Sequence, residues 1–211
     1  MDSVIDNVNV YHARIVAGKA LAESYPVDAD LVVGVPDSGL VAAKGYSEQS
    51  GIPYGMAFHK NSYVGRTFIK PKQSQRESSV KIKLNVIEEV VKGKRIVMVD
   101  DSIVRGTQLR ETTEFLYRNG AKEVHIRPAC PPLLYGCKYL NFSRSKSEMD
   151  LITRRVIAKR EGENVSDKVL ADYADPNSTN YKEMLEEIRK ELNFTSLKFH
   201  RLDDLKAYIG I

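Results

Sequence analysis

The stretch RIVMVDDSIVRGT, residues 95–107, constrains this chain more than any other. An uninterrupted apolar run reads as a strand buried on both faces, and it ends abruptly in two acids. Ser102, Gly106 and Thr107 follow, before a segment with helical periodicity, so the chain turns from strand to helix through a small polar loop. Amide N–H groups of such a loop, together with a helix N-terminus, can hold a phosphate. The loop lacks the Lys of a nucleoside-triphosphate-binding loop, which argues against a nucleotide triphosphatase. Two carboxylates beside a phosphate would repel it, so Asp100 and Asp101 need other work, such as accepting hydrogen bonds from sugar hydroxyls or holding Mg²⁺ through water. Taken together, the parts describe a sugar phosphate.

A second strand of the same kind lies upstream. Leu31, Val32, Val33, Gly34 and Val35 run into Pro36-Asp37-Ser38-Gly39, and a helix is expected over Leu40–Ser50 with Gly51 closing it. Residues 10–23 place Val10, Ala13, Ala17, Ala20 and Leu21 at helical spacing. Residues 52–58 suggest a short strand, and residues 123–127 another. Asn85 and Glu88 resemble a capping box for a helix running to Gly93. Leu109, Thr112, Thr113 and Leu116 share a helical face that ends at Asn119-Gly120. Strand and helix in alternation predict an α/β fold with a doubly wound parallel sheet flanked by helices. In such a sheet ligands sit at the carboxyl ends of the strands, where both polar loops lie.

The remainder is less regular. Residues 60–79 are polar, basic and without a steady period, and a loop of about 20 residues inside a compact domain is often a binding loop. Irregular structure is expected over residues 159–180, where Asp175-Pro176-Asn177-Ser178 punctuates the chain. A helix is expected over residues 181–192, and the last dozen residues are expected to pack back on the domain.

Composition narrows the function classes. At 211 residues the chain suits one α/β domain. A net charge of +4 with both signs abundant is too mild to point to nucleic acid or a membrane, yet suits a small polyanion. No apolar run approaches the ~20 residues that span a bilayer, and the two cysteines, Cys130 and Cys137, read as reduced thiols of a cytoplasmic protein. His12, His59, His125 and His200 are scattered without metal-ligand spacing, so packing or surface roles are expected, with His59 closest to the basic loop.

The acid pair and its Ser/Gly/Thr loop resemble the phosphoribosyl diphosphate (PRPP) signature of the type I phosphoribosyltransferases. The resemblance narrows to the amidophosphoribosyltransferase family through GVPDSG (34–39), KNSYVGRTFI (60–69), VDDSIVRGT (99–107) and GAKEVHIRPACPP (120–132), with a looser echo at TSLKFHRLDDL (195–205). It implies a phosphoribosyltransferase core over residues 1–157, a C-terminal extension over 158–211 packing on the same domain, and a flexible active-site loop. A glutamine-hydrolysing half precedes this domain in that family and is expected to be absent here.

What the resemblance implies is transfer of the phosphoribosyl group from PRPP to ammonia, giving 5-phosphoribosylamine and pyrophosphate, the first step of purine synthesis. Asp37, Ser38 and Gly39 would bind pyrophosphate. Asp100 and Asp101 would hold the ribose hydroxyls, and Ser102, Ile103, Val104, Arg105, Gly106 and Thr107 the 5′-phosphate. Ser38, Asp100 and Asp101 would face Mg²⁺. Lys60, Tyr63 and Arg66 would act at the diphosphate, although Ser62 stands where many relatives carry Arg. Cys137 matches a position that ligates an iron–sulfur cluster in some members, but two cysteines do not supply the four thiolates of a four-iron cluster. Ammonia would come from solution or a separate glutaminase subunit, purine nucleotides would be candidate inhibitors, and a homo-oligomer is expected. A regulator that binds PRPP or a nucleotide without turnover is the alternative. Transfer to a nucleobase is weaker, since nothing specifies a base pocket.

Overall fold

The structure, a computed structural model, describes residues 2–60, 84–137 and 148–210. A short hairpin, β1 (Val4–Ile5) and β2 (Val8–Asn9), leads into α1 (Val10–Ser24). Its two-residue turn places Asp6 and Asn7 at positive φ, which suits these residue types in a tight hairpin. Asn9 caps α1, its side-chain oxygen accepting from the His12 N–H at 3.1 Å.

Four parallel strands form the central sheet, in the order β3 (Leu31–Gly34), β6 (Arg95–Asp100), β7 (Glu123–Pro128) and β8 (Ser196–Leu197). Alternation along these strands sends side chains into two separate cores. Val32, Val97 and Val99 face α1 and α2 (Leu40–Ser50), whereas Val33, Ile96, Met98, Val124 and Ile126 face the opposite layer. Both faces are covered, which explains why the strands read as continuous apolar runs.

Helices α1 and α2 touch along their backbones. A Cβ on Gly18 would stand 1.9 Å from the Ala42 carbonyl oxygen, and one on Gly45 would stand 2.1 Å from that of Ile15. Only glycine permits that approach. The short antiparallel pair β4 (Phe58–Lys60) and β5 (Leu84–Val86) flanks residues 61–83, which are not described.

Helix α3 (Glu88–Val91) is a single turn and α4 (Thr107–Arg118) a full helix whose buried residues are Leu109, Thr112, Thr113 and Leu116, the face expected from the sequence. After a 3₁₀ turn (Glu148–Asp150) come α5 (Ile152–Glu161), α6 (Asp167–Ala174), α7 (Thr179–Glu191), β8 and α8 (Leu202–Ile209). Helix α8 returns to α1, where the Tyr208 hydroxyl donates to Glu23 at 3.1 Å. No described helix is long and apolar enough to cross a membrane.

Three expectations are corrected. Asn85 sits in β5 and the N-cap of α3 is Ile87, without a side-chain cap, because the β4 pairing claims Asn85 for a strand. Within residues 52–58 only Tyr54 bridges to β3, and the strand proper starts at Phe58; Pro53 lacks an N–H and serves through its carbonyl, which accepts from the Val32 N–H at 2.8 Å. Residues 159–180 are largely helical. The Asp-Pro-Asn-Ser punctuation ends α6 and caps α7 through Ser178, while Arg160 donates to the Tyr173 hydroxyl at 2.9 Å and pairs with Glu183 and Glu187, tying α5, α6 and α7 together.

Candidate active site

Two loops meet at the carboxyl edge of the sheet. The first leaves β3 through Val35, whose N–H donates to the Val99 carbonyl at 2.9 Å, and turns at Pro36, Asp37, Ser38 and Gly39 into α2. The Pro36–Asp37 peptide is cis. Gly39 lies over the end of β6, where a Cβ would stand 2.4 Å from the Val99 carbonyl oxygen. This close approach brings the first loop against the second. Asp37 is exposed and forms an ion pair with Lys60, which reaches across from β4.

The second loop begins at Asp100, the last residue of β6. Its carbonyl accepts from the Ala129 N–H at 2.8 Å, and its carboxylate accepts from the Asp101 N–H at 2.8 Å. Burial pushes the Asp100 carboxyl well above the usual carboxylate range, and the neighbouring Asp101 charge raises it further. Ligand hydroxyls or a cation meeting these carboxylates would relieve that repulsion. Ile103, only 2% exposed, anchors the loop in the core. Gly106 then takes φ +77° at the N-cap of α4, a left-handed conformation that glycine adopts at little cost. The first amides of α4 have no partner within the helix and open at this loop.

Sequence-predicted residues Asp37, Ser38, Gly39 and residues 100–107 thus share one edge, and Lys60 joins them through Asp37. Tyr63, Arg66 and Ser62 lie outside the described residues. His59 is exposed in β4 and His12 on α1, whereas His125 and His200 are buried. His125 meets Ser196 Oγ and Glu123, each at 2.9 Å, and burial lowers its pKa. Neither Cys130 nor Cys137 is in a disulfide. Burial, with the Asp101 and Asp100 charges beside it, pushes the Cys130 thiol up to about 12, so it stays protonated and inert at neutral pH.

The structure adds Arg14. From α1 its guanidinium donates to the Ser38 carbonyl at 3.3 Å, and it lines, with Asp101, Val10 and Leu205, a cavity of about 320 Å³ beside the acid pair. The available signal was a charged residue in helical register with buried Ala17 and Leu21. Among the described residues no group of three or more His, Cys, Asp or Glu gathers to hold a metal. Asp100 and Asp101 offer carboxylate oxygens only, a donor set that suits a hard divalent cation drawing its other ligands from water and phosphate oxygens.

Residues 8–130 match the phosphoribosyl transferase domain. The chain belongs to that family. An amidophosphoribosyltransferase of Methanothermobacter thermautotrophicus is 51% identical over 155 residues, which cover 74% of this chain and 33% of the relative. One from Bacillus subtilis is 53% identical over 138 residues, covering 65% and 29%. The chain spans about a third of the length of the curated relatives it matches. Two solved structures match over 99% of the chain. One, described as the allosteric regulatory enzyme of purine biosynthesis, has a TM-score of 0.76 at 42% identity, with 39% of that chain covered. The other, glutamine PRPP amidotransferase from B. subtilis complexed with ADP and GMP, has a TM-score of 0.75 at 41% identity, with 40% covered. The phosphoribosyltransferase fold expected from the sequence is therefore the fold of this domain.

Proposed function

We propose that this phosphoribosyltransferase domain transfers the phosphoribosyl group of PRPP to ammonia, releasing pyrophosphate. The observation that carries this reading is the meeting of two unlike loops at one sheet edge: an acid pair leading into a glycine turn and helix N-terminus, and a short Pro-Asp-Ser-Gly turn faced by Lys60. The amidophosphoribosyltransferases at about half identity support ammonia as the acceptor.

In the reaction the ammonia nitrogen forms a bond to C1 of the ribose while the bond from C1 to the pyrophosphate oxygen breaks. Pyrophosphate leaves with the electron pair, and the new amine gives up one proton. Positive charge develops on the sugar and negative charge on the leaving group, so the site has to stabilise both and admit little water. Asp100 and Asp101 accept from the ribose hydroxyls and place carboxylates near the developing cation. Backbone amides over residues 102–107 hold the 5′-phosphate. Asp37, Ser38 and Gly39 receive the pyrophosphate, and the Lys60 ammonium supplies positive charge there. Tyr63 and Arg66 are assigned to the same end. Ser38, Asp100 and Asp101 would hold Mg²⁺, which when bound would neutralise charge on the diphosphate. The same reading takes in a homo-oligomer, a cytoplasmic setting, a separate glutaminase as ammonia source and purine nucleotides as competing ligands.

The test is pyrophosphate release from PRPP and Mg²⁺ with and without ammonium chloride at mildly alkaline pH. Release is expected only with ammonium. Each hydrogen bond to a charged group contributes about 1.5–3 kcal/mol, so replacing both Asp100 and Asp101 by Asn is expected to cut kcat/KM by about a hundredfold or more. PRPP binding without release would overturn the transferase reading in favour of a silent PRPP-binding regulator.

A further inference from the structure

The second loop is held from behind by a helix that lies outside residues 8–130. The Ile152 N–H donates to the Val104 carbonyl at 2.8 Å. One turn along α5, the Arg155 guanidinium donates through Nη2 to the Arg105 carbonyl at 2.8 Å and through Nη1 to the Asp150 carbonyl at 3.2 Å. The Arg105 side chain reaches back to Asp150 at 3.1 Å. Glu191 of α7 stands 3.7 Å from Arg155 and 2.9 Å from Lys159, so Arg155 is itself flanked by a carboxylate. Beneath Gly106, a Cβ would meet Ile152 Cδ1 at 2.7 Å and Leu192 at 3.0 Å.

These contacts fix directions as well as positions. In a planar trans peptide the carbonyl and the next residue's N–H point to opposite sides. With the Val104 and Arg105 carbonyls both turned toward α5, the N–H groups of Arg105 and Gly106 face away from it, toward the mouth of the loop. Two successive amides aimed at one point form a concave anion site, and the left-handed Gly106 continues it into the N-terminus of α4.

We infer that Arg155 is a positioning residue: by holding the Arg105 carbonyl it aims the Arg105 and Gly106 amides at the 5′-phosphate of the substrate. The inference rests on the phosphate-binding role given to this loop above. It specifies that the 5′-phosphate end depends on Arg155 and the pyrophosphate end does not, since the first loop is held by Gly39, Val99 and Arg14.

The experiment uses the whole chain and two probes, ribose 5-phosphate for the second loop and Mg²⁺-pyrophosphate for the first, each titrated by calorimetry. Arg155→Met is expected to weaken ribose 5-phosphate about tenfold, the scale of one lost charge-assisted hydrogen bond, and to leave pyrophosphate within about twofold. In turnover the same variant raises KM for PRPP with little change in kcat. Arg155→Lys keeps the charge but cannot fork to two carbonyls, so it recovers only part of the affinity. Lys159→Met, which removes only an exposed ion pair with Glu191, leaves both affinities unchanged.

Equal weakening of both probes, or no change in ribose 5-phosphate affinity, overturns the inference. Should Arg155→Met fail to fold, amide hydrogen exchange on the wild-type chain decides, with ribose 5-phosphate expected to slow exchange at Arg105 and Gly106. Wild type that binds ribose 5-phosphate but releases no pyrophosphate from PRPP ends the transferase reading and leaves this comparison standing. Wild type that binds no ribose 5-phosphate ends the inference.

Discussion

The two loops of the site achieve their shape by different means. The Pro36–Gly39 turn is fixed by what lies directly beneath it: Gly39 sits on the end of β6, and Val35 donates to the same Val99 carbonyl that a Cβ on Gly39 would strike. The loop over residues 100–107 is fixed partly from far along the chain, by α5 and Leu192. The first loop is therefore a property of the sheet edge and the neighbouring α1, through Arg14, and the second a property of the sheet edge plus a helical layer supplied after residue 130. On the proposed function, binding energy for the two ends of PRPP could then be tuned separately.

The comparison breaks most readily at Gly39. Its φ of −78° is open to any residue, so the cost of Gly39→Ala is steric alone. The atoms a new Cβ would meet are backbone oxygens and nitrogen of Val99 and Val35, which cannot rotate away. Separating the loop from β6 is expected to cost about 2–4 kcal/mol, read as a lower urea midpoint, with pyrophosphate affinity falling further than ribose 5-phosphate affinity. Unchanged stability would show that the first loop has slack its packing does not suggest.

Gly106→Ala sharpens the contrast from the other side. The residue must hold φ +77°, and its Cβ would press on the ends of the Ile152 and Leu192 side chains, which can shift. About 1–2 kcal/mol of stability is expected to go, mostly the cost of the left-handed conformation. Ribose 5-phosphate should bind more weakly while pyrophosphate affinity holds. A variant that loses both equally would mean the loops move as one unit.

How much of this was written in the sequence follows the same division. Strands β3, β6 and β7, helices α1, α2 and α4, and the two polar loops were legible, because buried parallel strands make continuous apolar runs and the glycines stand where the chain must turn. The β1–β2 hairpin is not legible, since two-residue strands carry almost no periodicity. Residues 159–180 read as irregular because Asp175-Pro176-Asn177-Ser178 punctuates the chain, yet it marks only the junction between two helices that Arg160 joins, a tertiary contact. Arg14 left a faint trace as a charge in a buried helical register. Arg155 left none, because a side chain bonding to a distant backbone carbonyl leaves no pattern in residue types.

The smallest expected effect separates Asp100 from its surroundings. Its carboxyl is held above the usual range by burial and by Asp101, so between the ordinary carboxylate value and that raised value the folded chain binds more protons than the unfolded one. Stability contributed by this group therefore falls as pH rises through that interval, and the full penalty is present above it. Asp100→Asn removes the ionisation while keeping the shape and an acceptor oxygen. The variant is expected to match wild type at pH below the ordinary carboxylate range and to gain as pH rises. At the alkaline end the gain should reach ~2–4 °C in Tm, the shift that about 1 kcal/mol produces in a 150–250-residue domain. Melting curves across pH for the ligand-free chain measure this directly. A gain that does not vary with pH would assign the effect to packing, whereas a gain that grows with pH, alongside lost turnover, would mean that the fold carries a buried charge for the substrate's hydroxyls to meet.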